Sequence, residues 1–354
     1  VREMAKGLAA LGVKAGDRVV IAAENRPEWV VADLAIMALG AISVPAYTTN
    51  TTSDYRHVLA DCSAKGAVVS TQTLAARLLP AASETTATEF IVSMEATASG
   101  AFDISLYEWT AVMAMGAASE HDLEPGLQQL TRGDVACLIY TSGTGGNPKG
   151  VMLSHGAILV NCHSACEVLR LLGLGDEVFL SFLPLSHAYE HSGGQFLPML
   201  LGGQIYYAEG LEKLASNIEE ARPTIMVVVP RLFEVLRARI IKSIEKQGKF
   251  PTYLLNQALR IAAKEQAGKG SILDAPMKAL LARTLIPKVR ARFGGRMKAL
   301  VSGGAPLNPD VGLFFQAMGL TLLQGYGQTE AGPVVSCNRP RAGIAMDTVG
   351  PPLD

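Results

Sequence analysis

Tyr140-Thr141-Ser142-Gly143-Thr144-Gly145-Gly146-Asn147-Pro148-Lys149-Gly150 follows an apolar run, Val135 to Ile139, that reads as a buried strand. Three hydroxyls from Thr141 to Lys149, four glycines and one lysine make a stretch too polar for packed core. Glycines let backbone N–H groups turn inward, hydroxyls add donors, and Lys149 brings a full positive charge. Such a loop binds anions, and a phosphate chain is its natural guest. The plain alternative is a flexible turn. A turn needs far fewer donors than this one carries, so phosphate binding is expected.

Upstream of the loop, strands alternate with helices. Val1, Met4, Leu8 and Leu11 recur at helical spacing, and Gly12 stands where a C-terminal cap belongs. A strand is expected at 18–23, and a helix starts with Pro27 in its first turn and ends at Gly40. Further strands are expected at 42–45, 67–70 and 90–93, with a helix capped by Ser53 and a weaker one at 73–79. Residues 95–130 show no clear period and read as a long connection with a short helix near 107–113. Downstream, Val151 to Leu153 is extended, and Ser154 caps a helix that runs to about Leu172. A second series follows, with strands at 178–182, 204–207, 225–229, 298–302 and 321–323, and a mostly helical stretch from Arg231 to Phe293. Glu234, Glu245 and Glu265 interrupt the basic residues of that stretch, which favours a solvated helix face over a nucleic-acid or membrane face.

Strands alternating with helices predict an α/β protein with two doubly wound, mostly parallel-sheet subdomains meeting at a nucleotide-binding cleft. The first would cover residues 15–172 and hold the phosphate loop. The second would combine 1–14 with 173–340, and 341–354 would open a further region. Ligands of such sheets bind beyond the carboxyl ends of the strands. Three polar or glycine-rich segments fall at those ends: the loop from Thr141, Gly303-Gly304-Ala305-Pro306, and Tyr326-Gly327-Gln328-Thr329-Glu330.

The balance of 31 basic and 32 acidic residues, a net charge of -1, gives no reason to expect nucleic acid as a partner. Five irregularly spaced cysteines favour a reduced, cytoplasmic setting over a disulfide framework. Cys162, His163 and Cys166 lack a second ligand pair at zinc-like spacing, so buried structural thiols are expected. The longest apolar stretch, Trp29 to Ala46, is broken by Asp33, Gly40 and Pro45, and fits a core helix and strand better than a membrane span. The chain starts inside an apparent helix and stops just after Gly350-Pro351-Pro352, which reads as a fragment.

Two familiar phosphate motifs do not fit. A Walker loop needs Gly before the Lys and Ser or Thr after it, where this chain has Pro148 and Gly150. A dinucleotide fingerprint needs a third glycine where Pro148 stands, and a helix where an extended segment follows.

What the loop resembles is the signature of the acyl-adenylate-forming superfamily, which includes acyl-CoA synthetases, peptide-synthetase adenylation domains and beetle luciferases. That pattern runs Thr-Ser-Gly-Thr-Thr-Gly-x-Pro-Lys-Gly, matched from Thr141 to Gly150 except at Gly145, where Thr is usual. Leu183-Pro184-Leu185-Ser186-His187-Ala188-Tyr189-Glu190 looks like the family's substrate-gate segment. Ser302-Gly303-Gly304-Ala305-Pro306-Leu307 looks like its adenine-side loop, and Gly325-Tyr326-Gly327-Gln328-Thr329-Glu330 like its nucleotide motif. The resemblance spans nearly the whole chain.

It implies ATP, Mg2+ and CoA as participants. Ser142, Thr144 and Lys149, with the N–H groups of Gly143, Gly145 and Gly146, would grip the β- and γ-phosphates. Thr329 would donate to the α-phosphate, and Glu330 would help hold Mg2+, a hard cation suited to carboxylate and phosphate oxygens. Tyr326 would face the adenine, with Gly303, Gly304, Ala305, Pro306, Gln324, Gly325 and Gly327 around it. His187 would hydrogen-bond near the reacting carboxylate. Gly193 and Gly194 would leave room for an alkyl chain. Glu190 reads as loop support and Arg231 as helix-start architecture, and His155 and His191 receive no role. Such an enzyme needs preplaced donors and cations rather than a protein nucleophile.

The helical insert ending in Lys288-Val289-Arg290-Ala291-Arg292-Phe293-Gly294-Gly295-Arg296 resembles that of long-chain fatty acyl-CoA synthetases. The expected activity is therefore conversion of a fatty acid to acyl-AMP and then to its CoA thioester. The setting would be cytoplasmic, with peripheral contact at the inner face of a membrane to collect the acid. An aryl or short-chain acid ligase, a module that loads a carrier protein, and a non-catalytic ATP-binding protein are the alternatives. A mobile lid with a catalytic lysine, a hinge residue and a ribose-binding aspartate would lie beyond Asp354, so the chain is expected to bind ATP but adenylate poorly. Gly145 removes a hydroxyl and adds backbone freedom of up to about 1 kcal/mol. A Gly145→Thr change is expected to tighten ATP binding if that hydroxyl matters.

Overall fold

The computed structural model describes residues 1–353 apart from Ser99, Ala101, 142–145, 341–343 and 345–346. Two compact units divide the chain, one of residues 1–160 with 184–191 and one of 161–183 with 192–354.

In the first unit the elements are α1 (Arg2–Ala10), β1 (Arg18–Ala22), α2 (Pro27–Ala38), β2 (Ile42–Ala46), α3 (Thr52–Asp61), β3 (Gly66–Val69), α4 (Gln72–Ser83), β4 (Phe90–Ser93), β5 (Ser105–Glu108), α5 (Trp109–Ala118), α6 (Glu124–Gln129), β6 (Val135–Thr141) and β7 (Lys149–Ser154). The sheet order is β5-β4-β3-β1-β2-β6-β7, parallel throughout except for the β6/β7 hairpin. β1, β3 and β4 are buried along most of their length and read as continuous apolar runs, as strands covered on both faces do. Val20, Val44, Val69 and Ile91 pack with Tyr55, Leu59, Leu74 and Leu78 of α3 and α4.

Helix α7 (His155–Arg170) follows, and the division between units falls within it. The second unit continues with β8 (Val178–Ser181). The excursion through 184–191, which contains α8 (Ala188–Glu190), belongs to the first unit. A single π-helical turn (His191–Phe196) leads to α9 (Leu197–Leu201), β9 (Gln204–Tyr207), α10 (Leu214–Ala221), β10 (Ile225–Val228), α11 (Pro230–Glu245), α12 (Lys249–Gln266), α13 (Ala275–Arg283), α14 (Leu285–Ala291), β11 (Ala299–Ser302), α15 (Pro309–Ala317), β12 (Leu322–Gly327) and β13 (Val334–Cys337). The sheet order is β13-β12-β11-β10-β8-β9, with only β13 antiparallel to its neighbour. Its largest core cluster joins Met226 and Val228 of β10 to Phe233, Leu255, Ile261, Phe314 and Phe315, so the helical stretch is built into the unit rather than laid on it.

Several expectations are corrected. Residues 1–14 belong to the first unit, because α1 packs on α5 so closely that Gly7 and Gly116 meet backbone of the facing helix. The α3 cap is Thr51 rather than Ser53: its hydroxyl accepts the Asp54 N–H while Asp54 accepts the Thr51 N–H. Within 95–130, β5 adds a parallel edge strand to β4. Finally, β12 runs on through Gly327, so Tyr326 sits within a strand paired with β13 and not in a loop after it.

Candidate functional site

In the first unit, Thr141 and Lys149 stand opposite one another as the last bonded pair of the β6/β7 hairpin. That pairing fixes Thr141 and Lys149 at the carboxyl end of β6. Ser142, Gly143, Thr144 and Gly145 lie outside the described residues. Gly146 has φ +109 in open space, a conformation that needs glycine, and Lys149 is exposed.

The base of this hairpin is braced from α3. His57 Nε2 lies 2.7 Å from the Pro148 carbonyl oxygen, and the Tyr140 hydroxyl donates to Asp61 at 2.7 Å. Burial, reinforced by Asp61, raises the Tyr140 phenol well above its ordinary value, so it stays a donor. A Cβ on Gly150 would approach the Tyr140 ring to 3.2 Å, which explains the glycine that closes the motif. None of His57, Asp61 or Tyr140 was singled out from sequence. The only trace was the i, i+4 spacing of His57 and Asp61 on one helix face.

His187 also belongs to the first unit. The residue reaches the surface while its ring is partly desolvated, and its Nδ1 accepts the Tyr189 N–H at 3.1 Å, capping the short α8. That bond leaves the proton on Nε2, and desolvation keeps the imidazole below its ordinary pKa. At neutral pH Nε2–H is a directed, uncharged donor. Glu190 is buried, in line with a supporting role.

In the second unit, Tyr326 is 51% exposed on β12 between two glycines. Those glycines serve the backbone: a Cβ on Gly325 would lie 3.0 Å from the Ser336 carbonyl oxygen, and one on Gly327 2.0 Å from that of Pro333. The chain at Pro333 and β13 passes that close, and the ring of Tyr326 stays about half exposed. Thr329 and Glu330 follow on one 3-10 turn, half-buried and exposed, closed by Gly332 in the left-handed region. Gly304, with φ +82, begins the turn that carries Ala305 and Pro306 away from β11. Gln324 is placed differently from its expected nucleotide contact. It is buried, its Oε1 accepts the Leu307 N–H at 3.1 Å and its Nε2 donates to the Thr348 carbonyl at 2.8 Å. With both ends of its amide engaged, it holds the 303–307 loop in place.

Gly193 lies in the π-helical turn against β10, where a Cβ would come within 3.2 Å of Val227. On that side its small size serves close helix–strand packing rather than open space, and Gly194 is buried beside it. Arg231 opens α11 and pairs with Glu234, as helix-start architecture. Cys162 and Cys166 are buried while His163 between them faces outward, so the three do not converge. Among the described residues no group of three or more His, Cys, Asp or Glu is placed to hold a metal. One exposed carboxylate, Glu330, does fit Mg2+ delivered on a nucleotide, since that ion keeps most of its shell as water and phosphate oxygen.

A family model described as AMP-binding enzyme matches residues 1–354. The chain belongs to this family. A long-chain-fatty-acid–CoA ligase of Mycobacterium bovis is 31% identical over 358 residues, which cover 100% of this chain and 58% of that protein. A peroxisomal long chain acyl-CoA synthetase of Arabidopsis thaliana is 29% identical over 94% of this chain and 47% of its own length. An anthranilate CoA ligase crystallised with anthranoyl-AMP superposes with a TM-score of 0.70 at 21% identity, over 100% of this chain and 57% of that one. The AMP-binding fold is thus matched across the whole chain, which spans about half the length of these relatives.

Proposed function

We propose that this AMP-binding chain carries the nucleotide- and acid-binding residues of an AMP-forming acid–CoA ligase whose acid is a long-chain fatty acid. The observation that carries the reading is the Thr141/Lys149 pairing, which sets a cation and a hydroxyl at the mouth of a glycine-rich turn beyond a buried strand. Lys149 and the turn's donors neutralise the β- and γ-phosphates as pyrophosphate leaves. Tyr326 stacks on the adenine and Thr329 donates to the α-phosphate. Glu330 would hold the Mg2+ of the nucleotide, which supplies charge neutralisation on the phosphates. The Nε2–H of His187 orients an acid oxygen. The carboxylate then attacks the α-phosphorus, pyrophosphate departs, and in a second step the CoA thiolate adds to the acyl carbonyl and AMP leaves.

Named relatives that act on long-chain acids, together with the buried helical stretch from α11 to α14, support the choice of a fatty acid. A cytoplasmic setting, with peripheral membrane contact to collect the acid, belongs to the same proposal and suits five buried free thiols. The test is acid-dependent pyrophosphate release from the full-length protein, over fatty acids of graded length and benzoate, with CoA or a carrier protein as acceptor. Release that peaks with long acids and requires CoA for turnover supports the proposal. Preference for benzoate or for the carrier protein replaces the substrate assignment, and ATP binding without acid-dependent release removes the activity.

A further inference from the structure

The segment 184–191 interrupts the second unit's chain yet packs with the first, with a polar contact at each end. At its start, the Leu185 N–H donates to Asn25 Oδ1 at 3.0 Å, just beyond the carboxyl end of β1. At its end, His191 Nε2 lies 2.9 Å from Asp33 Oδ2 of α2, with both side chains 1% exposed. The His191 ring also meets that of Trp29, one helical turn before Asp33, nearly perpendicular at 5.3 Å between centroids. Between the two contacts the backbone is a closed turn: His187 N–H donates to the Pro184 carbonyl at 2.9 Å, and His191 N–H to the His187 carbonyl at 3.0 Å. His187 is the exposed member of a segment whose other residues from Leu185 to His191 are buried.

A buried carboxylate and imidazole are costly to desolvate, and replacing such a pair by apolar groups is often neutral or stabilising. Their presence under the turn asks for something besides stability. We infer that Asn25 and the Asp33–His191 pair are positioning residues that set where the imidazole of His187 stands, and through it the alignment of the acid. The inference rests on the reading of His187 given above. Asp33 Oδ1 makes no protein hydrogen bond among the described residues, so the carboxylate is committed to His191 through its other oxygen. Asn25 meets Leu185 through its amide oxygen, at a point in the segment away from the Asp33–His191 contact, so the two contacts can be mutated separately.

The experiment compares Asn25→Ala, Asn25→Asp, and the apolar pair Asp33→Leu/His191→Phe, each also in a His187→Ala background. The pair replacement removes both polar partners at once, so no buried charge is stranded. Asn25→Ala and the pair replacement are expected to keep ATP affinity and to lower acid-dependent pyrophosphate release by about 100-fold, the scale of an ångström-sized misplacement. Asn25→Asp, which keeps an acceptor, restores the rate, and none of the changes adds to the loss caused by His187→Ala. Unchanged release in folded Asn25→Ala and in the folded pair variant overturns the inference, as does an equal further loss in the His187→Ala background. A readout free of turnover is the 15N-histidine NMR spectrum. The His187 ring signals should move in Asn25→Ala and return in Asn25→Asp, and signals that stay put overturn the inference. Absence of acid-dependent release in the wild type instead strikes the functional reading, and leaves the NMR comparison to decide this one.

Discussion

A Cβ on Gly327 would collide with the Pro333 carbonyl oxygen at 2.0 Å, a contact that only backbone movement can relieve. Gly327→Ala should therefore cost about 1–3 kcal/mol, as overpacked sites do, and should displace Tyr326, the neighbouring stacking face. Thermal melts and nucleotide titration check both, and a variant with native melting and native ATP affinity would remove β13 as the reason for this glycine. His57 is a second residue-scale case. Its contact with the Pro148 carbonyl is the brace nearest Lys149, and a single hydrogen bond is worth about 1 kcal/mol. His57→Ala should lower stability by about 1 kcal/mol and weaken ATP binding by up to about fivefold. Unaltered affinity would show that the hairpin keeps its shape without α3. At this scale the sequence supplied residue types and order, and Thr141, Lys149, Tyr326, Thr329 and Glu330 are candidates on that ground. Gln324 could not be sorted correctly, because whether a glutamine meets ligand or backbone depends on Leu307 and Thr348, which are distant in the chain.

Among the elements, those with strong periods were legible and those set by a neighbour were not. The long helices α11 and α12 bury one stripe each, and β1, β3 and β4 are short apolar runs, so pattern sufficed. β5 is a half-exposed edge of four residues whose only reason to be extended is β4, and β13 exists because β12 offers it a partner. The helical stretch gives a prediction at this scale. Phe315 is fully buried, and its ring meets those of Phe233, Phe293 and Phe314 at 5.1 to 6.1 Å. Phe315→Ala should destabilise the protein by about 3–5 kcal/mol through the cavity it leaves. Chemical denaturation measures this, and a loss below about 1 kcal/mol would mean that the helices close over the gap.

For the molecule as a whole, two buried charge clusters set opposite pH limits. In the second unit, Glu177 at the start of β8 accepts from Thr224 and Lys298 and from the Gly175 N–H. Desolvation opposes its ionisation, but these donors prevail and hold its pKa below the ordinary carboxylate value. A lowered carboxylate contributes stability that is present above its unfolded value and lost as pH falls through the folded one. Glu177→Gln should therefore flatten the acid limb of the stability curve. In the first unit, desolvation lowers the His191 pKa, yet Asp33, helped by Cys137, pushes it up to about 10. The sign is reversed: that stability is complete below the ordinary imidazole value and is lost as pH rises through about 10. Melts of wild type against Asp33→Leu/His191→Phe across this range should show the alkaline loss only in the wild type, and parallel curves would mean that His191 is neutral in the fold.

Alternating apolar runs and helical stripes were enough to determine an α/β protein with two largely parallel sheets, since each buried element carries its own period. The glycine, hydroxyl and lysine content of Thr141 to Gly150 was enough to place a polar, glycine-rich segment after a buried strand, because that composition does not suit packed core. Tertiary structure alone decided that residues 1–14 and 184–191 join the first unit, that Tyr326 rides on a paired strand, and that Asp33 meets His191. Asp33 had shown only as a charge interrupting an apolar helix. A buried carboxylate requires a partner, but the partner stands 158 residues away, and only the folded chain selects it.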